Sequence, residues 1–525
     1  MRRRPLMLLF AAVVVAAVVV VVLARGGSSD SHTAVADPLA EALGYAPASA
    51  QVVAAVDVAP GSQQGAALTE LGRTSPLARF GGSEFRSSLR LLGLDPDADV
   101  PSVVGGPLVI AGPASALRGL TSALRGFNLD LTSVLRTGAI AAIVGRSADD
   151  VDAVLDRAVD ARRMRELPRG AAPPGTRLLA LPSSAGVVAA RGPDLVLGGD
   201  AAAVTRAIAL EQHGGGLTRR AFEQRLGPLR GPALVRIAAQ PRAIIGTRAQ
   251  GIPFIDALTG GALSLRLEDP GIRVRAHLAT DPARLRPDQL PLAPGPQPPS
   301  PAPGAAGASA GVRNLSQTID VLEAANGRIA LPFVSSAEEA LATLDQVKGP
   351  LHTFGRIDVD AALLDQLTGT TTITREGRGV VLRAELRDGD PLRSALWRIA
   401  AIPDFLISAS GITDLNIADD GNGIYTVTQS GRPILHVGVL GTTLVVTDDF
   451  GIGLDAVAAR APQRVDRPGA LAFHADGRTI QDELVRRLGL PGMARLFLGS
   501  IGDLNGSVRS EVGGTDLDAT LALTD

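Results

Sequence analysis

Apolar positions fall along this chain in three spacings, and each predicts a different element. From Leu6 to Leu23 they are unbroken. At about 1.5 Å per residue those eighteen residues span roughly 27 Å, close to bilayer hydrocarbon and longer than the apolar core of a typical signal peptide. Elsewhere they recur every three or four residues, as in Val151, Val154, Leu155, Ala158 and Val159, which predicts a helix opened by Ser147 with Asp150 three positions on. A third pattern alternates. Val380, Leu382, Ala384 and Leu386 are interleaved with Val381, Arg383, Glu385 and Arg387, the mark of a strand with one wet face.

The apolar run at the N-terminus follows Arg2-Arg3-Arg4, and cytoplasmic positive charge ahead of a spanning helix orients the rest of the chain outward. Just past the run the sequence reads Leu23-Ala24-Arg25-Gly26-Gly27, with an arginine where signal peptidase needs small neutral residues. The A-x-A match, Ala34-Val35-Ala36, lies well downstream. The expectation is an uncleaved anchor over 1–25, a tether over 26–36 and a single-pass protein of the plasma membrane, its bulk extracytoplasmic. With no cysteine, lipid acylation at that residue, thiolate metal sites and cysteine nucleophiles are excluded.

After the tether the patterns predict an α+β fold of two related bodies, residues 37–281 and 312–525. Each is mainly antiparallel sheet with helices packed on one face, and a Pro/Gly/Ala-rich linker over 282–311 would act as a semi-rigid polyproline spacer between them. In the first body a strand at 139–144 precedes the helix from Ser147, strands near 176–181, 186–190 and 194–198, and a helix at 201–210. In the second, the strand at 380–386 precedes a helix capped by Asp390 with Pro391 at its first position. Strands near 423–428, 434–439 and 443–447 and a helix at 454–460 follow. The offset is roughly 240 residues.

Both bodies also close alike. Gly231-Pro232-Ala233-Leu234-Val235 matches Pro468-Gly469-Ala470-Leu471-Ala472, and two terminal hairpins turn at Asp269-Pro270-Gly271 and Gly513-Gly514. Val56-Asp57-Val58, before an Ala/Leu-rich helix, is paired with Ile357-Asp358-Val359.

Tyr45-Ala46-Pro47-Ala48-Ser49-Ala50, Val56-Asp57-Val58 followed by Gln64-Gly65, and Leu94-Asp95-Pro96-Asp97-Ala98-Asp99-Val100 ahead of Gly105-Gly106 carry a further likeness. In these short motifs, mostly in its first half, the chain resembles the bacterial proteins grouped as domain of unknown function 3352. Its long proline-rich segment departs from that pattern. The resemblance implies an extracytoplasmic protein and supplies no functional residues.

The chain's 51 basic and 53 acidic residues leave a formal charge of -2, which offers nucleic acid no attracting field. Aromatics are 3% of residues, too few for base or sugar stacking platforms. Nearly all positive charge is arginine; Lys348 is the single lysine.

Chemical motifs yield to plainer readings. Gly451-Ile452-Gly453-Leu454-Asp455-Ala456 fits a dinucleotide fingerprint, but its strands pattern as antiparallel and the matching joint, Gly198-Gly199-Asp200-Ala201-Ala202, lacks it. Asp95, Asp97 and Asp99 have calcium-loop spacing without the required glycine or glutamate at Val100 and Gly106. Asp419-Asp420 and Asp448-Asp449 are adjacent and would point apart on a strand. The histidines His32, His213, His277, His352, His436 and His474 form no metal motif; His277, alternating with Arg273 and Arg275, reads as exposed, and His436 as a core histidine.

No catalytic, cofactor-binding or metal residue and no cofactor is therefore expected. The reading is a non-enzymatic binding or scaffolding module of the cell envelope, with a membrane contact through its anchor and an envelope protein or apolar small molecule as partner. A carrier of a lipid or other apolar ligand would need an aliphatic cavity. An envelope hydrolase would need carboxylates, a histidine or a serine from both bodies in one cleft.

Overall fold

The computed structural model describes residues 37–57, 59, 61–74, 103–116, 135–168, 173–181, 186–245, 250–269, 271–298, 307–325, 348–349, 351–353, 355–376, 379–401, 415–459, 465–488 and 499–523. The expected anchor and tether lie outside them, as do His32 and the Asp95–Asp99 segment. Among the described residues, no helix is long and apolar enough to cross a membrane.

The chain is α+β, built on a large antiparallel sheet. The first half supplies β1 (Val52–Val56), β2 (Leu108–Gly112), β3 (Ile140–Val144), β4 (Arg165–Glu166), β5 (Arg177–Ala180), β6 (Val187–Arg191), β7 (Asp194–Gly198), β8 (Val235–Ala239), β9 (Leu258–Glu268) and β10 (Gly271–Thr280). The second supplies β12 (Ala308–Arg313), β13 (Thr370–Glu376), β14 (Gly379–Glu385), β15 (Leu415–Gly421), β16 (Ile424–Gln429), β17 (Arg432–Leu440), β18 (Thr443–Thr447), β20 (Leu471–Ala475), β21 (Ile501–Glu511) and β22 (Gly514–Leu523). β11 (Pro296–Gln297) pairs separately with β19 (Val465–Pro468).

Hydrogen bonds join the twenty long-sheet strands in the order β4-β5-β6-β7-β3-β2-β1-β8-β9-β10, then β22-β21-β20-β12-β13-β14-β18-β17-β16-β15. Outward from the β10/β22 contact both halves follow one sequence of strands: tenth, ninth, eighth, first, second, third, seventh, sixth, fifth, fourth. β12 is thus the positional counterpart of β1. Ile357-Asp358-Val359 is not a strand; Asp358 caps a single helical turn at Val359–Ala362.

The helices are α1 (Pro38–Gly44), α2 (Gln63–Thr74), α3 (Ala148–Asp160), α4 (Ala201–Gln212), α5 (Arg219–Leu226), α6 (Leu315–Ala325), α7 (Asp390–Ala400), α8 (Leu454–Ala459) and α9 (Gly477–Leu488), with shorter turns between. Ser147 caps α3 as expected, its hydroxyl accepting from the Asp150 N–H at 3.1 Å. At α7 the N-cap is Gly389 and not Asp390, which is the first helical residue; Asp388, just before the cap, accepts from the Asp390 N–H at 3.0 Å.

Helices on one face were expected; they cover both. Leu178, Ala189 and Val196 pack under α4, whereas Leu179, Ala190 and Leu195, one residue along each strand, pack under α3. Likewise Val53 and Ala55 of β1 meet α1 and α5, while Ala54 faces Ile110, Leu135 and Ala141 on the other side. The sequence Val-Val-Ala-Ala-Val has no polar face to offer water, so β1 is stable only when covered on both sides.

The stretch expected as a spacer carries structure over its described part. Leu285 and Leu290 are buried against Ile252, Phe254, Ile255 and Leu258, and the Gln317 amide donates to the Pro287 and Leu290 carbonyls at 2.7 and 2.9 Å. Proline suits the first position of 3₁₀ turns as well as polyproline helix, and Pro282 and Pro287 each open such a turn.

Candidate functional site

Strand β10 alternates Ile272 and Val274 with Arg273, Arg275 and His277, and β22 alternates Ala519 and Leu521 with Asp516, Asp518 and Thr520. Their register places Ile272 opposite Leu521 and Val274 opposite Ala519 on one face. That face closes a core with Leu265 and Leu267 from β9, Leu234 and Val235 around β8 and Ile501 from β21, with Ile480 and Val485 of α9 packed on it. On the other face basic meets acidic. Arg273 donates to both oxygens of Asp518 at 2.9 and 2.6 Å, His277 Nδ1 lies 2.8 Å from Asp516 Oδ1, and the Arg509 guanidinium reaches the other oxygen, Asp516 Oδ2, at 3.3 Å.

This charged face runs into a groove at the far end of β8, β9 and β10. Its cavity, about 290 Å³, is lined by Gln51, Gln224, Gln240, Thr259, Arg225 and His277, with alanines and glycines between. α5 forms one wall. Thr218 caps that helix, and Phe222 and Leu226 anchor it on the sheet. The floor carries no long side chain where Gly260 and Gly261 stand beside Ala239 and Ala279, which leaves the groove open. Arg225 spends two of its nitrogens on the Ala48 and Ala50 carbonyls, and Gln51 accepts from the Ala114 N–H at 2.8 Å. Both are therefore held in place.

The lining side chains are amides, a hydroxyl, the Arg225 guanidinium held by two carbonyls and the His277 imidazole held by Asp516, with no carboxylate among the lining residues themselves. Such a wall favours an oxygen-rich, negatively charged guest. It is not the aliphatic lining that a lipid carrier needs. His277 was expected to be exposed; its side chain is 18% exposed and held by an aspartate from the other half. This is a pair that the hydrolase reading would use. Among the described residues no hydroxyl is hydrogen-bonded to the ring, so they supply no nucleophile for a triad there.

A second polar cluster is buried where α1 meets the β6–β7 hairpin. The Tyr45 hydroxyl donates to Asp194 Oδ2 at 2.6 Å, and both residues are almost wholly enclosed. Burial pushes the Asp194 carboxyl up to about 7, against the Tyr45 hydrogen bond and with help from Glu41 and Glu211. Tyr45 is held well above the usual phenol range by burial and by Asp194. Arg191 and Glu211 close the cluster as an ion pair.

The sequence motifs fall apart from both places. Gly451–Ala456 is the turn between β18 and α8 on an antiparallel sheet, where Gly451 N–H donates to Asp449 at 2.9 Å. Asp448 accepts from the Val380 N–H at 2.6 Å and Asp419 from the Gly421 N–H at 2.8 Å. His213 touches the Ala209 carbonyl, His352 is exposed, His436 stacks edge-on against Phe450 at 4.4 Å, and His474 is buried beside Asn505. No group of three metal-ligating side chains occurs among the described residues. Sequence reasoning missed the Tyr45–Asp194 pair, which no spacing rule could join across 149 positions. No family model, no curated protein and no solved structure matches the chain.

Proposed function

We propose that this chain is a non-enzymatic binding module, anchored in the plasma membrane by residues 1–25 and displayed outside the cytoplasm, whose groove beside β10 takes a small anion of the carboxylate or phosphate class. The carboxylate-free lining around His277 and Arg225 is the observation that carries the ligand class. The arginines before the Leu6–Leu23 run support the topology. The common strand order supports two related bodies, and the likeness to domain of unknown function 3352 belongs to the same proposal.

Titration calorimetry of the full-length chain in detergent, with inorganic phosphate, acetate and neutral glycerol, tests the site. A Cβ at Gly260 would meet only Ala279, at 3.9 Å, so Gly260→Leu fills the groove without disturbing the backbone. We expect phosphate or acetate to bind wild type and to bind the filled variant at least about tenfold more weakly. Equal binding by both, or no anion binding by wild type, would overturn the ligand class. A retained lipid-sized mass in native mass spectrometry would favour the carrier instead.

The absence of cysteine makes the topology testable on a clean background. Gly513 is exposed at the β21–β22 turn with nothing within 4 Å of an added Cβ. Gly513→Cys should react with a membrane-impermeant maleimide in intact spheroplasts. Reaction only after lysis would place the fold on the other side.

A further inference from the structure

The β9–β10 and β21–β22 hairpins have equal strand lengths and the same spacing between their strands, the second following the first 243 residues later, from Glu268 and Gly271 to Glu511 and Gly514. At that offset Ser264, Arg266, Ala276, Leu278 and Ala279 meet Ser507, Arg509, Ala519, Leu521 and Ala522 unchanged. Among the positions that change, three lie together on the polar face of β10: Arg273 becomes Asp516, Arg275 becomes Asp518 and His277 becomes Thr520. These three residues of β10 lie on the face that meets the acidic strand. Arg275 and Asp518 occupy the same place in their hairpins and pair with each other, so a local two-fold axis passes between them.

Around such an axis two like strands could pair in the same register. Two copies of β10 would set Arg275 against Arg275 and Arg273 against His277; two copies of β22 would set Asp518 against Asp518. Like charges directly opposite on a sheet are destabilising, whereas the native pairing gives Arg273 and His277 aspartates. We propose that this ladder is a partner-selecting code: the seam strand of the first half accepts the seam strand of a second half and rejects its own kind, so two copies of the chain can join only by reciprocal exchange of halves. The apolar face supplies the cohesion and would fit either pairing; the charges choose.

Charge reversal in the full-length chain tests this. Arg273→Asp with Arg275→Asp makes an all-acidic seam, and Asp516→Arg with Asp518→Arg an all-basic one. Each alone should speed amide exchange of β10 and β22 by roughly ten- to a hundredfold, and all four together should restore it. Unfolded and refolded as a mixture, the acidic and basic variants should form a one-to-one heterodimer in native mass spectrometry, while each alone gives none with itself. The proposal is overturned if the fourfold variant stays as open as the pairs, or if either variant dimerises with itself as readily as with the other. A misfolded pair does not hide the answer, because the fourfold variant carries the same substitutions.

Discussion

Phe222→Ala is expected to lower stability by about 3–5 kcal/mol, as for other aromatic truncations in full cores. The ring is completely enclosed, at the centre of the face where α5 meets Val53, Ala55, Val109, Ala238 and Ala262. Its sheet-side neighbours are small, so none can reach into the space that it leaves. The Arg236 guanidinium lies 5.9 Å from the ring centre and is half-buried, its Nε enclosed without a hydrogen-bond partner, and its pKa is lowered by burial against the pull of Asp57. Losing the ring therefore also removes a favourable face from a charge already short of water. Phe222→Leu keeps most of the volume and should cost less than half as much. Urea denaturation of the three proteins checks the order. If alanine cost under about 1 kcal/mol, α5 would not be what holds this face, and the wall of the groove would have to be sought elsewhere.

That face shows where local pattern stops informing. Alternation in Val380 to Arg387 predicted a strand, and β14 is there. The same reasoning made Arg273, Arg275 and His277 one polar face of β10, which they are. What the pattern could not tell is that the polar face meets an acidic strand from the other half. Pairing across 245 positions leaves no trace within either strand. β12 was hidden for a different reason. Ala308-Ser309-Ala310-Gly311-Val312-Arg313 has one β-branched apolar residue and follows a proline-rich stretch, so it patterns as linker. It is a strand because β13 and β20 both offer it a full ladder of hydrogen bonds.

The common strand order of the two halves was legible where strands and helices alternate at matched lengths, and blurred where loops differ. The ladder puts Val235 of β8 in the place that Leu471 holds in β20, one residue along from the Leu234 match that the sequence suggests. The faces of the sheet were less legible. Leu178-Leu179 and Ala189-Ala190 are apolar on both sides, and only the clusters beneath α3 and α4 show that each side has its own cover. A continuous apolar strand announces burial without saying how many layers provide it.

Stability should fall as the pH rises from about 4 to above 7, and Asp194→Asn should remove most of that slope. Unfolded, Asp194 ionises near the ordinary value of about 3.9; folded, it holds its proton up to about 7. Between those values the folded state carries the extra proton. Its contribution is thus fully present at low pH and lost as pH rises through the folded value, by about 2–4 kcal/mol in all. The geometry explains the direction. Asp194 Oδ2 accepts from Tyr45, but Oδ1 is buried with no donor. The groups facing it are the carboxylates of Glu41 and Glu211, with Arg191 committed to Glu211. A proton on Asp194 lets Oδ1 donate to Glu41, turning a repulsion into a hydrogen bond. Asparagine can do both tasks at any pH, accepting from Tyr45 and donating to Glu41. The difference in melting temperature between pH 5 and pH 8 should therefore be several degrees smaller for Asp194→Asn than for wild type. Tyr45→Phe should act oppositely. It leaves both Asp194 oxygens without a neutral donor, costing about 1–3 kcal/mol, and it should steepen the loss above pH 7, where the carboxylate has nothing to accept from. If wild type and Asp194→Asn gave parallel curves, the aspartate would have to be ionised across the range, and Arg191 would then have to turn from Glu211 to reach it.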